Sequence, residues 1–386
     1  MSERSKLMAA QAQDICPSSA TVLSGEDWLR CPDVLQQDVS LPVGLFALRV
    51  PPPLRLLGND AVMIFDDLSN ECACNLLSPA SDPLLDVFSN IASSEDPQER
   101  MRSSGLPTYV SPTPLLSLVQ FAGRSFYHWL CEALPRLVVA QSVWGMPAST
   151  TYNVLIPASP TSFMIQSLNA LGVTSPIEYR RRVVITKAPL LFVTWKTQSV
   201  VSNKTSGFSL AHPHALQMLR TRLLERLQQQ QQHRPSVVVA SRGGSTGMRH
   251  FDEKTLIRDL SIAMPSHDIV VADGSQPLLG NLALFAAASA VVGVHGGALA
   301  NIVVCSAFVP VVEIGFASEA SWHYEHVAQA LQLRYARVLA DVDPLHRSVG
   351  AAKISVNITA VVARLQQMMM IHRASEAGTT QSSPEL

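Results

Sequence analysis

The chain has no concentrated block of basic residues: 29 Lys and Arg stand against 30 Asp and Glu, for a formal net charge of -1 over 386 residues. Gripping a phosphate backbone needs a dense positive face, so nucleic acid is excluded as the main partner. Any anion site here must be built from a few placed groups. Six cysteines, at 16, 31, 72, 74, 131 and 305, form no C-x-x-C pair and no zinc spacing, which predicts no metal site. Cys131 and Cys305 sit in apolar runs and read as buried free thiols. The first fourteen residues lack an apolar core of signal-peptide length. No G-x-G-x-x-G opens a βα unit with an acid some ~20 residues on, which disfavours a dinucleotide-dependent oxidoreductase. No internal repeat of fixed period is visible.

Charge as a whole is scarce, at 15%, while apolar residues reach 47%, ample for a core and unlike a disordered chain. Between Asp273 and Glu313 no charged residue occurs at all. A membrane span is the superficial reading, but Gln276, Pro277, Asn281, His295 and Asn301 interrupt the run, with glycines at 293, 296 and 297. Strands buried on both faces of a parallel sheet give the same uncharged pattern, so no transmembrane segment is expected.

The length favours two α/β lobes over one domain. Residues 1–40 are polar and weakly patterned and read as poorly ordered. A first lobe follows over 41–210, with strands near Val43–Val50, Ala61–Phe65, Leu115–Gln120, Asn153–Pro157, Val183–Thr186 and Leu190–Thr194. Helices are expected over Phe126–Gln141 and Thr161–Leu171. A linking helix occupies 211–235, stopped by Pro235. A second lobe, 236–345, shows four βα units in series, with strands at Val237–Ala240, Asp268–Ala272, Ala290–Val294 and Val309–Ile314. That pattern predicts a parallel, doubly wound sheet. A terminal helix from Ala351 to Ile371 and a loose tail complete residues 346–386.

Four stretches carry chemistry. In Val291-Val292-Gly293-Val294-His295-Gly296-Gly297, a buried strand ends in a glycine turn and a helix begins. The first amides of a helix lack intrahelical partners, so this turn suits a diphosphate, and glycines let phosphate oxygens approach the backbone. His295, ionisable at a strand mouth, is poorly explained by packing alone. Val237-Val238-Val239-Ala240-Ser241-Arg242 likewise ends in a cation, followed by a glycine-rich loop reaching Arg249. An arginine fork there matches phosphate. Asp252 and Glu253 read as the start of a helix. In Phe126-Tyr127-His128-Trp129-Leu130-Cys131-Glu132, His128 and Glu132 share one helix face. That pair suits a surface contact, a metal fragment lacking its third ligand, or a base with its orienting partner. Glu313, ending the strand Val311-Val312-Glu313-Ile314, suits ribose hydroxyls or a simple sheet-end role.

In this order the four pieces resemble glycosyltransferase family 61, which contains plant xylan-decorating and animal protein O-GlcNAc-type transferases. The matching residues are Phe126-Tyr127-His128-Trp129 with Glu132 and Pro135-Arg136, then Ser241-Arg242 with Arg249 and Glu253. They continue with Val292-Gly293-Val294-His295-Gly296, Leu299 and Asn301, and Val311-Val312-Glu313-Ile314. The resemblance implies a GT-B architecture, two Rossmann-like lobes facing across a cleft. It also implies inverting transfer from a nucleotide-sugar co-substrate, usually UDP-linked, to a glycan or glycoprotein hydroxyl, with no further cofactor and no metal. On this reading Glu132 is the favoured base with His128 positioning it. Arg242, Arg249, His295, Gly296 and Gly297 hold the diphosphate, and Glu313 the ribose. The family implies a Golgi or endoplasmic reticulum lumen, whereas the sequence as it stands shows no signal or anchor. A non-catalytic nucleotide- or glycan-binding member of the same fold is the main alternative, and an NAD-dependent oxidoreductase the lesser one.

Overall fold

A computed structural model describes residues 36–37, 45–50, 54–57, 62–65, 108–119, 123–144, 152–179, 183–188, 190–195, 211–227, 235–241, 251–316, 322–342 and 354–379. They form a mixed α/β fold with parallel sheets, in two compact units that divide between Ala215 and Leu216.

The first unit holds two sheets. Strands β1 (Gln36–Gln37), β2 (Leu45–Val50), β3 (Leu54–Leu57), β4 (Val62–Phe65), β5 (Thr108–Ser111), β6 (Leu115–Ser117), β7 (Asn153–Pro157), β8 (Ile177–Tyr179), β9 (Val183–Thr186) and β10 (Leu190–Trp195) supply them. One sheet runs β1-β2-β10-β6-β7-β8 and the other β4-β3-β9-β5. In the larger sheet β10, β6, β7 and β8 are mutually parallel, as an α/β pattern predicts. Helix α1 is composite: Phe126–His128, then a π turn over Trp129–Ala133, then Leu134–Val143. Helix α2 spans Ser162–Ala170. The two are pinned together where Trp129 Nε1 donates to Ser167 Oγ at 2.8 Å and Gln141 Nε2 to the Leu171 carbonyl at 2.9 Å. Those bonds satisfy polar groups that burial would otherwise strand.

The helix read as linking is α3, Pro213–Leu227. It caps a helix of the second unit: Gln217 and Arg220 donate to the carbonyls of Ala330 and Leu331 at 3.0 and 2.9 Å. Acceptors at a helix end lack intrahelical donors, and cations are favoured there.

The second unit is built on β11 (Ser236–Ala240), β12 (Asp268–Ala272), β13 (Ala288–Val294), β14 (Pro310–Phe316), β15 (Arg334–Val342) and β16 (Ile354–Ser355). Their order is β12-β11-β13-β14-β15-β16. The first five are parallel and only β16 is antiparallel. Helices α4 (Glu253–Ala263), α5 (Leu278–Ala286), α6 (His323–Ala330) and α7 (Ile358–Thr379) cover this sheet. Side chains alternate across a strand. Val237, Val239, Val292, Val294, Val312 and Ile314 therefore share one face, packed with Leu256, Leu260, Val361 and Leu365 of α4 and α7. Gly293, Glu313 and Arg337 belong by the same alternation to the other face.

The sequence reading is refined at three points. The segment after His295, read as a helix, is of 3-10 type over Gly297–Val304. The last helix begins at Ile358, not Ala351, because Asn357 caps it through its Oδ1 and the amide of Ala360, at 3.0 Å. It continues past Ser375 to Thr379. Strand β15 had no counterpart in the sequence reading. Cys131 and Cys305 are buried free thiols, while the other four cysteines lie outside the described residues.

Candidate active site

On helix α1 the widened turn sits on the aromatic motif. The amide of Trp129 bonds Ser125 in normal α register at 2.9 Å, whereas that of Leu134 reaches back five residues to Trp129. Isolated π turns are rare and concentrate at functional sites. His128 Nδ1 lies 2.8 Å from Glu132 Oε2 across this turn. Glu132 is fully buried, while the His128 side chain is 23% exposed. One turn further on, Arg136 is also fully buried. Burial draws the Arg136 pKa down to about 10, against the charge of Glu132, which supports the protonated form. A solvent-reachable imidazole is thus backed by a buried carboxylate, itself backed by a buried guanidinium. Such an arrangement fixes a histidine's ring and tautomer and supports it as a proton acceptor.

In the second unit the strand order reverses between β11 and β13, since β12 lies on one side and β14 on the other. Open α/β sheets bind ligands outside the carboxyl ends of strands at such a point. Ser241 follows β11 and His295 follows β13, so both stand there. Ser241 Oγ donates to Glu253 Oε2 at 2.7 Å, tying the end of β11 to the start of α4. Asp252 caps that helix through the Thr255 amide, at 3.1 Å. Arg242 and Arg249, between these ends, lie outside the described residues. Gly296 is the residue before the 3-10 helix and accepts from the Leu299 amide at 3.0 Å, so Gly297 is its first residue.

The two strands meet closely at this point. A Cβ on Gly293 would stand 2.7 Å from Ala240 Cβ and 3.0 Å from the Ala240 carbonyl oxygen. Backbone cannot step aside as a flexible side chain can. Gly293→Ala should therefore cost about 1–3 kcal/mol of stability; a denaturation midpoint equal to wild type would contradict this close approach.

His295 is 7% exposed, and its Nδ1 lies 2.5 Å from Glu313 Oε1. Its ring meets Tyr324 of α6 edge-on, with centroids 5.0 Å apart. Glu313 is fully buried on β14. The Tyr335 hydroxyl donates to its other oxygen, Oε2. Arg337 brings one terminal nitrogen to 3.4 Å from each carboxylate oxygen and donates from Nε to the Tyr335 hydroxyl at 3.2 Å. Tyr335 and Arg337 went unread in the sequence because β15 did. The run Arg334-Tyr335-Ala336-Arg337-Val338-Leu339-Ala340 lacks a period-two alternation, so it offered little signal for a strand. Of the residues singled out from sequence, His128 and Glu132 lie together in the first unit, and His295, Gly296, Gly297 and Glu313 in the second.

Residues 126–312 match the family model described as Glycosyltransferase 61. No curated protein matches the chain. Among solved structures, the dodecameric iron-containing heptosyltransferase TibC in complex with ADP-D-beta-D-heptose is similar at 11% identity, over 86% of each chain, with a TM-score of 0.31. No helix among the described residues is long and apolar enough to cross a membrane. The matched segment opens on the Phe126 motif, crosses the turn at His295 and closes on β14. Over residues 126–312 this chain is similar to glycosyltransferase family 61.

Proposed function

We propose that the chain is an inverting, GT-B-type glycosyltransferase that moves a sugar from a nucleotide donor, UDP-linked by preference, to a hydroxyl of a glycan or protein. The observation that carries this reading is the span of the family match, which encloses both the His128–Glu132 pair and the strand-order reversal ending in His295.

The reaction needs one displacement. The acceptor oxygen bonds to the anomeric carbon as the bond from that carbon to the diphosphate oxygen breaks, and the hydroxyl proton passes to a base. A base must touch the hydroxyl it deprotonates. Glu132 is fully enclosed and His128 is not, so His128 is the base in this reading and Glu132 holds its ring. Charge gathers on the departing diphosphate. The amides at Gly296 and Gly297, the imidazole of His295 and the side chains of Arg242 and Arg249 are the groups suited to meet it. Glu313 has both oxygens engaged by protein donors, which favours a supporting task behind His295 over direct contact with ribose.

A thermal-shift panel of UDP, GDP and NAD, joined to hydrolysis assays over UDP-sugars, tests the proposal. UDP should raise the melting temperature and at least one UDP-sugar should turn over. Stabilisation by NAD alone would reverse the reading towards hydride transfer. UDP binding with no turnover of any sugar donor would leave a nucleotide-binding protein without catalysis.

A further inference from the structure

We propose that Tyr335 and Arg337 are positioning residues of the donor site, which act through Glu313 to fix the ring of His295 and to set the pH range over which it carries positive charge towards a nucleoside diphosphate. This inference rests on the donor-site reading above.

The geometry supplies the argument. Glu313 is buried without exposure, and three donors converge on its two oxygens: His295, Tyr335 and Arg337. A carboxylate that accepts from Tyr335 and pairs with a guanidinium has no hydrogen to give, so at 2.5 Å the proton between it and the imidazole sits on Nδ1 of His295. That choice leaves the second ring nitrogen, Nε2, as the atom whose protonation changes with pH. Tyr335 stays a donor, because burial and then the charge of Glu313 push its phenol well above the usual range. Arg337 stays charged: burial opposes its charge, but Glu313 and Tyr335 more than offset that.

Arg337 is held in place from two sides. Its guanidinium stacks over Trp322, 5.4 Å from the ring centroid. Its stem crosses Gly315, where a Cβ would lie 2.8 Å from Arg337 Cδ and 3.0 Å from Cγ and Nε. Among the described residues, the other ionisable groups on the elements flanking His295 are few; Glu253, bonded to Ser241, stands at the same sheet edge. Helix α6 brings Tyr324 and also Glu325, whose carboxyl is raised by burial and feels both Arg337 and Glu313; His323 and His326 lie on the same helix. Strand β13, helix α5 and the 3-10 helix contain none except Cys305 just beyond.

Opposite charges near an imidazole move its titration in opposite directions. Glu313 favours the protonated ring and Arg337 disfavours it. Arg337→Met should shift the His295 titration upward by roughly one pH unit, and Glu313→Gln downward by a similar amount. Arg337→Lys should stay near wild type. Gly315→Ala, which displaces the Arg337 stem while leaving Glu313 and His295 intact, should shift it upward as Arg337→Met does.

Two measurements separate the possible failures. Imidazole NMR titration of the free protein, with His295 assigned through His295→Asn, reads the network alone. Calorimetric UDP binding from about pH 5 to 9 reads the donor site, and its alkaline limb should follow the same order. Arg337→Met and Glu313→Gln titrating together, or in the reverse order, would overturn the network. The predicted order in NMR with no UDP binding at any pH would leave the network standing and overturn its assignment to a donor site. A wild-type limb unmoved by either substitution would reduce Tyr335 and Arg337 to packing.

Discussion

Exchanging His128 for alanine should lower the transfer rate by about 10²–10⁴-fold, the usual share of a general base, while leaving UDP affinity unchanged. The expectation follows from exposure as much as from chemistry. His128 is the exposed member of its pair, and the pair is set in the first unit, whereas His295, Gly296 and Gly297, proposed to meet the diphosphate, belong to the second. Loss of turnover should therefore come without loss of nucleotide binding. A His128→Ala protein that turns over at the wild-type rate would remove the base assignment. One that loses UDP binding as well would show that the residue supports the donor and not the acceptor.

The second large effect concerns stability. Glu132→Ala should cost about 3–5 kcal/mol, because it deprives buried Arg136 of the carboxylate whose charge it feels. Neither residue has any exposed surface through which water could compensate. Replacing both by leucine should recover most of the loss, since two buried charges are removed together and apolar volume replaces them. Chemical denaturation of the two single variants and the double variant measures the coupling. Additive losses would mean that Glu132 and Arg136 do not act as a pair. Glu132→Gln gives the complementary reading: it keeps the shape and an acceptor for His128 but not the charge, so it should impair turnover more than folding.

Much of the second unit was legible because the cores of β11, β13 and β14 are mostly apolar, bounded by glycine, proline or polar turns. Asp268–Ala272 falls at the expected residues, as do Asn153–Pro157 and Val183–Thr186 in the first unit. The 3-10 winding after Gly296 was not legible, since an apolar run of eight residues has the same look in either helix type. Strand β15 was missed for a different reason. Arg334, Tyr335 and Arg337 interrupt its hydrophobicity, and the last two do so because they serve Glu313. The residues that obscured the strand are the ones that give it a role. The candidate base had the opposite fate. Spacing put His128 and Glu132 on one face, but spacing carries no information on which is enclosed, and it does not reveal a π turn. Nor does spacing reveal that Trp129, in the same turn, donates to Ser167 of α2 from another part of the chain.

The widened turn at Trp129–Ala133 also makes segment length a constraint in its own right. Each residue of a regular helix advances the winding by about 100°. Shortening this stretch by one residue would let it relax to ordinary winding, because the widened turn spreads the same rotation over one residue more, so the flanking segments would keep their bearing while the spacing within the turn changed. Point substitutions and single-residue deletions across this stretch would consequently diverge: many of the former are absorbed locally, while a deletion between His128 and Glu132 alters the four-residue spacing that sets the imidazole against its acid.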